Sequence, residues 1–183
     1  MRWVRLFLLS FVVLLNAPLL SWAQTEPDTL SRYQLGSGDV ISIIVFGEDD
    51  LKREKIRLTD AGTVSYPVLG EIKVLGMTVG ELEKHVADGL RGRYLVNPRV
   101  AVTIDEYRPF FINGQIRREG SFPYLPGLNV RKAVTIAGGF TERASREKIF
   151  IVREKDPKQQ SVKVDLNAPV YPGDIITVEQ SFF

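Results

Sequence analysis

Hydrophobic and polar positions along this chain fall mainly into short runs with a period of two, which is typical of β-strands. Residues 40–46, VISIIVF, are dense in β-branched side chains and predict a buried strand. The segments 55–59 and 63–67 alternate around residues 60–62 and predict a β-hairpin, with Gly62 available for a positive φ. The other strands that the pattern predicts are 68–74, 99–105, 110–113, 148–153, 161–166 and 174–178.

Two segments have the period of a helix instead. Thr78 and Glu81 have the spacing of a capping box, and they precede apolar residues that recur on one face, Val79, Leu82, Val86 and Leu90. Asn129 is placed to cap a shorter helix over 130–137, and Gly138 follows it as a stop signal. Many short strands with two helices among them predict an α+β fold.

The N-terminus has the layout of a secretory signal peptide over residues 1–23. Two arginines precede an apolar stretch at 6–15, and a small-x-small sequence ends at Ala23. Cleavage is therefore predicted between Ala23 and Gln24, which leaves 24–32 as a polar linker. The alternative is an uncleaved anchor, but the apolar stretch is short against the roughly 20 residues that a bilayer-spanning helix needs.

The chain contains no cysteine. Disulfide bonds therefore cannot stabilise the fold, and lipid attachment at an N-terminal cysteine is excluded. We expect an exported protein that is not a lipoprotein.

The formal charge differs between the two halves of the expected mature chain. Residues 24–106 contain 10 basic and 14 acidic side chains, a net of −4, whereas residues 107–183 contain 12 basic and 8 acidic ones, a net of +4. The total is neutral, which disfavours a nucleic-acid partner because such proteins present a strongly basic face.

No catalytic or metal-binding set stands out in the sequence. His85 is the single histidine, and without cysteine or a second histidine a zinc site or a Cys-His pair lacks its residues. Asp49 and Asp50 could act as paired carboxylates on a glycosidic bond, but a charged loop beside a strand is the more common use of such a run. The glycines at 36–38 precede a strand, whereas a phosphate-binding loop opens a helix. We therefore predict no catalytic, cofactor-binding or metal-binding residues and no cofactor.

Four motifs occur in order between residues 33 and 98. They are YQLGSGDVI at 33–41, DAGTVSYPVLG at 60–70, GMTVGEL at 76–82 and YLVNP at 94–98. The ordered set resembles the polysaccharide export domain of the Wza-type exporters, which we place at residues 33–106. Residues 107–183 resemble an SLBB β-grasp domain through Gly114, Gly120, Tyr124 and the segments AGG at 137–139, VDL at 164–166 and PGDI at 172–175.

The resemblance implies a non-catalytic component of an envelope translocon that exports capsular or exopolysaccharide. Members of the family form homo-oligomeric rings around the polymer path. The expected partners are the polysaccharide, an inner-membrane polysaccharide co-polymerase and a separate outer-membrane pore protein. The expected location is the periplasm, in peripheral association with the outer membrane.

This chain departs from better-known members of the family in two ways. It has no lipobox cysteine, and it ends five residues after the last predicted strand, where those members continue into an amphipathic outer-membrane helix. A short form that relies on another protein for the exit pore is therefore expected. The competing hypothesis is a free-standing periplasmic glycan-binding module, because a fold alone does not fix a function. An enzyme is the third possibility.

Three tyrosines are the candidate contact residues. Tyr107, Tyr124 and Tyr171 lie near predicted turns, where an aromatic ring can touch a glycan or a neighbouring subunit. Phe110 and Phe150 lie inside predicted strands and are expected to be buried in the core.

Overall fold

A computed structural model describes residues 32–181, and the predicted cleavage between Ala23 and Gln24 lies outside these residues. The strands are β1 Val40–Val45, β2 Arg53–Arg57, β3 Thr63–Tyr66, β4 Gly70–Lys73, β5 Val100–Glu106, β6 Phe110–Gly114, β7 Gly120–Phe122, β8 Ala144–Val152, β9 Ser161–Val164 and β10 Ile175–Gln180, and the helices are α1 Val79–Leu90 and α2 Val130–Ile136. This mixture of short strands and two helices confirms the predicted α+β class.

The first sheet has three strands in the order β2-β1-β5, and all are antiparallel. β1 lies in the centre, which explains its continuous β-branched sequence, since Ile41 and Ile43 are fully buried. The strand ends at Val45, one residue earlier than predicted, and Phe46 is 57% exposed. A separate two-stranded hairpin, β3-β4, packs its apolar side chains into the same core.

The predicted hairpin between segments 55–59 and 63–67 is wrong. A turn does form there, with the N–H of Gly62 donating to the carbonyl of Thr59 at 2.8 Å and Gly62 at a φ of 68°. The strands on its two sides then take different partners, because β2 pairs with β1 whereas β3 pairs with β4. The alternating pattern identified the strands, but it carries no information about which strand each one joins.

Helix α1 begins at the predicted capping box. Thr78 accepts a hydrogen bond from the N–H of Glu81, and Glu81 accepts one from the N–H of Thr78. The helix also docks on β5, where the Glu83 carboxylate accepts the N–H of Val102 at 2.9 Å. Its core-facing side chains are Leu82, Val86 and Leu90. These residues confirm the apolar face that the sequence predicted.

The second sheet has five strands in the order β7-β6-β10-β8-β9. β6 and β10 are parallel, and the other neighbours are antiparallel. Helix α2, capped by Asn129 as predicted, adds Val130, Ala133 and Val134 to the core of this sheet. Phe110 is fully buried there, whereas Phe150 is only partly buried.

Two hydrophobic clusters hold the structure together, and they share no residue. One comprises buried side chains from Leu35 to Val102, and the other comprises buried side chains from Phe110 to Val178. The segment between β5 and β6, residues 107–109, therefore connects two separately packed units.

A buried arginine and two clefts at the junction

Arg108 lies between the two units and binds both. Its backbone N–H donates to Oδ1 of Asp39 at 2.8 Å, and its Nη1 donates to Oδ2 of Asp39 at 3.2 Å. Its Nε donates to Oε2 of Glu154 at 2.6 Å, just beyond the end of β8. Since Arg108 and Asp39 are 6% and 0% exposed, this ion pair is buried in the junction.

Tyr33 completes the site around the arginine. Its hydroxyl donates to the Asp39 carboxylate at 2.7 Å and accepts from Nη1 of Arg108 at 2.6 Å. Burial raises the pKa of Tyr33, so the phenol keeps the proton that it donates. Burial by itself lowers the pKa of Arg108, but the neighbouring oxygens of Tyr33, Glu154 and Asp39 raise it above its ordinary value. The site therefore holds one permanent cation among three groups that accept its hydrogen bonds, Asp39, Glu154 and Tyr33.

Two glycines make room for this site. A Cβ atom on Gly36 would lie 2.3 Å from Nη1 of Arg108, and a Cβ atom on Gly173 would lie 2.3 Å from Oε2 of Glu154. Neither distance is compatible with a side chain unless the ion pairs move. Gly36, one of the glycines at 36–38 that the sequence analysis compared with a phosphate-binding loop, thus serves close packing against an arginine.

Asp174 sits in a turn of the same construction as the Asp39 turn. Each carboxylate accepts the N–H of the residue three positions earlier, Gly36 at 2.8 Å for Asp39 and Tyr171 at 2.7 Å for Asp174. Asp174 also pairs with Arg153. Burial raises the pKa of Asp174, although its hydrogen bonds and Arg153 act in the opposite direction.

Sequence reasoning did not identify this junction. The sequence feature that could have indicated it is a Gly-Asp pair that occurs twice, at 38–39 and at 173–174, each time before a buried strand. An aspartate in such a place has to be satisfied by local N–H groups and a cation, because a buried unpaired carboxylate is costly.

The structure separates the three candidate tyrosines. Tyr107 packs edge-to-face between Tyr33 and Tyr124, with ring centroids 5.0 Å and 5.3 Å away. Tyr171 is 48% exposed, with the Arg153 guanidinium 5.2 Å from its ring centroid. It lies close enough to Tyr124 to contribute, after burial and Tyr107, to the raised pKa of that tyrosine, but it lines a different cleft.

Two of the clefts at the junction contain candidate tyrosines. The tyrosine groove has a volume of about 610 Å³ and is lined by Arg57, Asp105, Glu106, Tyr107, Phe122, Tyr124 and Leu125, with Ser121 and three prolines. The arginine cleft has a volume of about 260 Å³ and is lined by Tyr33, Arg108, Arg153, Glu154, Lys155 and Tyr171, with Pro172 and Asp174. Each cleft thus contains at least one of the candidate tyrosines.

The other residues that the sequence singled out lie apart from these clefts. His85 is exposed on α1, and Asp49 and Asp50 form a short 3-10 turn without buried residues. Within residues 32–181, no three His, Cys, Asp or Glu side chains come together as they would around a metal ion. None of the helices in this range is both long and apolar enough to cross a bilayer.

Comparison with known protein families gives two matches in this chain. Residues 27–105 match the polysaccharide biosynthesis/export protein family, and residues 109–165 match the SLBB domain. The two matches together cover more than half of the chain and meet at the junction that contains Arg108.

Two curated relatives are similar to this chain. The exopolysaccharide production protein ExoF of Rhizobium meliloti (strain 1021) is 33% identical over an alignment of 85 positions, which covers 43% of this chain and 19% of that protein. The EPS I polysaccharide export outer membrane protein EpsA of Ralstonia nicotianae (strain ATCC BAA-1114 / GMI1000) is 24% identical over an alignment of 182 positions, which covers 81% of this chain and 47% of that protein. The chain therefore spans less than half the length of either relative. These matches confirm the resemblance in the sequence motifs: the chain carries a domain of the polysaccharide biosynthesis/export protein family followed by an SLBB domain.

Proposed function

We propose that this protein is a non-catalytic component of an envelope translocon that passes capsular or exopolysaccharide across the outer membrane. The observation that carries the proposal is the succession of an export domain and an SLBB domain in one chain. The two relatives, which are named for exopolysaccharide production and polysaccharide export, support it.

The place of action is the periplasm, in peripheral association with the outer membrane. The predicted signal peptide, cleaved between Ala23 and Gln24, accounts for export from the cytoplasm. The chain has no cysteine for lipid attachment, and protein partners are its proposed link to the outer membrane. Those partners are a separate outer-membrane pore protein and an inner-membrane polysaccharide co-polymerase.

The working form is a homo-oligomeric ring around the polymer path. The export domain at 33–106 and the SLBB domain at 107–183 act as two units held at a fixed angle by Arg108, because its buried ion pair joins both. A fixed angle matters for a ring, since each head-to-tail contact has to repeat the same rotation for the ring to close. The opposite net charges of the two units favour contacts between unlike units of neighbouring copies.

Deletion of the gene in its host tests this proposal. We expect secreted polysaccharide to fall while polymer accumulates inside the cell, and we expect the full-length gene to restore secretion. A deletion strain that secretes as much polysaccharide as its parent would contradict the proposal.

The second candidate is a free-standing periplasmic glycan-binding module, which the tyrosine groove favours. The two functions differ in assembly. Sedimentation of the purified exported protein should show a closed oligomer for the translocon component, whereas a monomer at high protein concentration would favour the binding module.

A further inference from the structure

We propose that the tyrosine groove binds a short segment of a neutral, hydroxyl-rich glycan and disfavours acidic sugars. The proposal rests on the proposed function, and it adds the site and the class of sugar.

The size of the groove separates it from the arginine cleft. Small-molecule sites in proteins have volumes of roughly 300–1,000 Å³. The tyrosine groove, at about 610 Å³, lies within that range, whereas the arginine cleft, at about 260 Å³, lies below it. The side chains of the smaller cleft are also already engaged, since Arg108 and Arg153 make ion pairs and Lys155 donates to Gln34.

The wall of the groove is an ordered aromatic surface. Tyr33 is fixed by Asp39 and Arg108, Tyr107 packs edge-to-face on Tyr33, and Tyr124 packs edge-to-face on Tyr107. Rings that are already held in place lose little side-chain entropy when a ligand binds. The aliphatic C–H face of a pyranose ring suits such a surface, because tyrosine offers an apolar ring face together with a polar hydroxyl.

The loop after β7 closes one side of the groove. Its sequence at 123–126 is Pro-Tyr-Leu-Pro, and the two prolines restrict its backbone. Leu125 is 58% exposed at this rim. An exposed leucine between two prolines and beside aromatic side chains extends the apolar surface that a sugar ring would cover.

The charges of the groove indicate the class of sugar. Three of the described lining residues are charged, Arg57, Asp105 and Glu106. Arg57 is engaged, because it pairs with Glu106 at 3.1 Å and donates to the carbonyl of Gly38 at 2.8 Å. The rim therefore has a net negative charge, and a uronate or another acidic sugar would be repelled by it.

The same carboxylates can receive sugar hydroxyl groups. An ionised carboxylate has about four acceptor positions. Asp105 accepts the hydroxyl of Ser42, and Glu106 accepts Arg57, so each keeps acceptor positions for other donors. The groove therefore offers aromatic faces for the C–H faces of sugar rings and carboxylate acceptors for their hydroxyl groups, which suits an uncharged glycan.

Titration of the isotope-labelled, full-length exported protein followed by NMR tests the proposal. The probes are cellotetraose and maltotetraose as neutral glycans, and tetragalacturonate as an acidic one. We expect the neutral probes to shift the amide signals of residues 105–108 and of Ser121, Phe122, Tyr124 and Leu125, and we expect tetragalacturonate to leave them unchanged. Absence of groove shifts with both neutral probes, or equal binding of tetragalacturonate, would overturn the proposal.

Matched variants assign the binding to the groove. Tyr124→Ala and Leu125→Ser should each weaken neutral binding, the first by about fivefold or more, on the scale of one lost aromatic contact. The matched control is Tyr94→Ala, which removes a 42% exposed tyrosine that lines neither cleft and should leave binding unchanged. The pair Asp105→Asn and Glu106→Gln should admit tetragalacturonate, because the rim then has a net positive charge. Undiminished neutral binding by Leu125→Ser and Tyr124→Ala, with native spectra, would place the glycan elsewhere and overturn the proposal.

Secretion measured in the deletion strain separates this proposal from the proposed function. If deletion abolishes secretion but the groove binds neither neutral probe, the glycan site is overturned and the translocon role stands. Normal secretion on deletion would overturn the translocon role, whatever the groove binds.

Discussion

Replacing Arg108 with alanine should destabilise the protein more than any exposed charge replacement. The substitution removes the guanidinium from Asp39, which is 0% exposed, and from Tyr33 and Glu154. Breaking a buried ion pair by removing one partner costs about 3–5 kcal/mol, because the remaining charge is left uncompensated. Asp39 still accepts hydrogen bonds from the N–H groups of Gly36 and Arg108 and from the Tyr33 hydroxyl, so we expect the lower end, about 3 kcal/mol.

The two partners of Arg108 should contribute unequally. The Glu154 side chain is 44% exposed, and a pair exposed to that extent is worth roughly 0–1 kcal/mol after solvent screening. Glu154→Gln should therefore cost about 1 kcal/mol or less. The matched control is Arg57→Ala, which breaks the Arg57–Glu106 pair, whose side chains are 63% and 65% exposed. This control should also cost less than about 1 kcal/mol.

Urea unfolding of the exported protein measures these costs. The midpoint should fall most for Arg108→Ala, by about 1–3 M, since a 3 kcal/mol loss is divided by a slope of about 1–3 kcal/mol/M. A double-mutant cycle with Asp39→Asn should show coupling of about 0.5–3 kcal/mol, because the two side chains are in direct contact. If Arg108→Ala loses no more stability than Arg57→Ala, the junction does not depend on the buried pair and the reasoning is refuted.

Five further predictions concern the junction and other parts of the chain. Gly36→Ala should lower the unfolding midpoint, because its Cβ atom would lie 2.3 Å from Nη1 of Arg108; an unchanged midpoint would show that the guanidinium can move freely. Thr78→Ala should cost about 1 kcal/mol by thermal unfolding, through loss of the N-cap, and a neutral result would contradict the capping box. The hydrogen bonds from Thr78 lower the pKa of Glu81, so the ionised carboxylate stabilises the folded state fully at pH values above the ordinary glutamate pKa. This stabilisation is lost as the pH falls through the lowered pKa of Glu81. A pH titration of helicity should therefore show a decrease on the acidic side, and an increase would contradict the prediction. Mass spectrometry of the exported protein should find Gln24 at the N-terminus without a lipid, and a retained Met1 would refute the cleavage. Sedimentation should show an oligomer that dissociates as the salt concentration rises, because salt screens the contacts between the units of net charge −4 and +4. An oligomer of the same size at low and high salt would show that charge does not drive its assembly.

Sequence alone determined the features that depend on neighbouring residues. The capping box of Thr78 and Glu81, the apolar face of α1 and the cap at Asn129 are local patterns, and the structure has all of them. Nine of the ten strands in the described residues were also found, because alternation along a single segment is enough to identify a strand, whereas the three-residue strand β7 was missed. The ordered family motifs lie within short stretches for the same reason, so the family could be identified before the fold was known.

Tertiary structure alone decided which segments meet. β2 joins β1 and β3 joins β4, although the two segments flank one turn, because pairing is chosen by the core that each strand helps to close. Asp39 and Arg108 are 69 positions apart, and nothing in the residues between them specifies their contact. The same holds for the tyrosines: sequence reasoning grouped Tyr107, Tyr124 and Tyr171 as equals, and packing placed two in a groove and one in a smaller cleft. Contacts between residues far apart in the sequence depend on how the two separately packed cores are oriented relative to each other, and no local sequence pattern specifies that orientation.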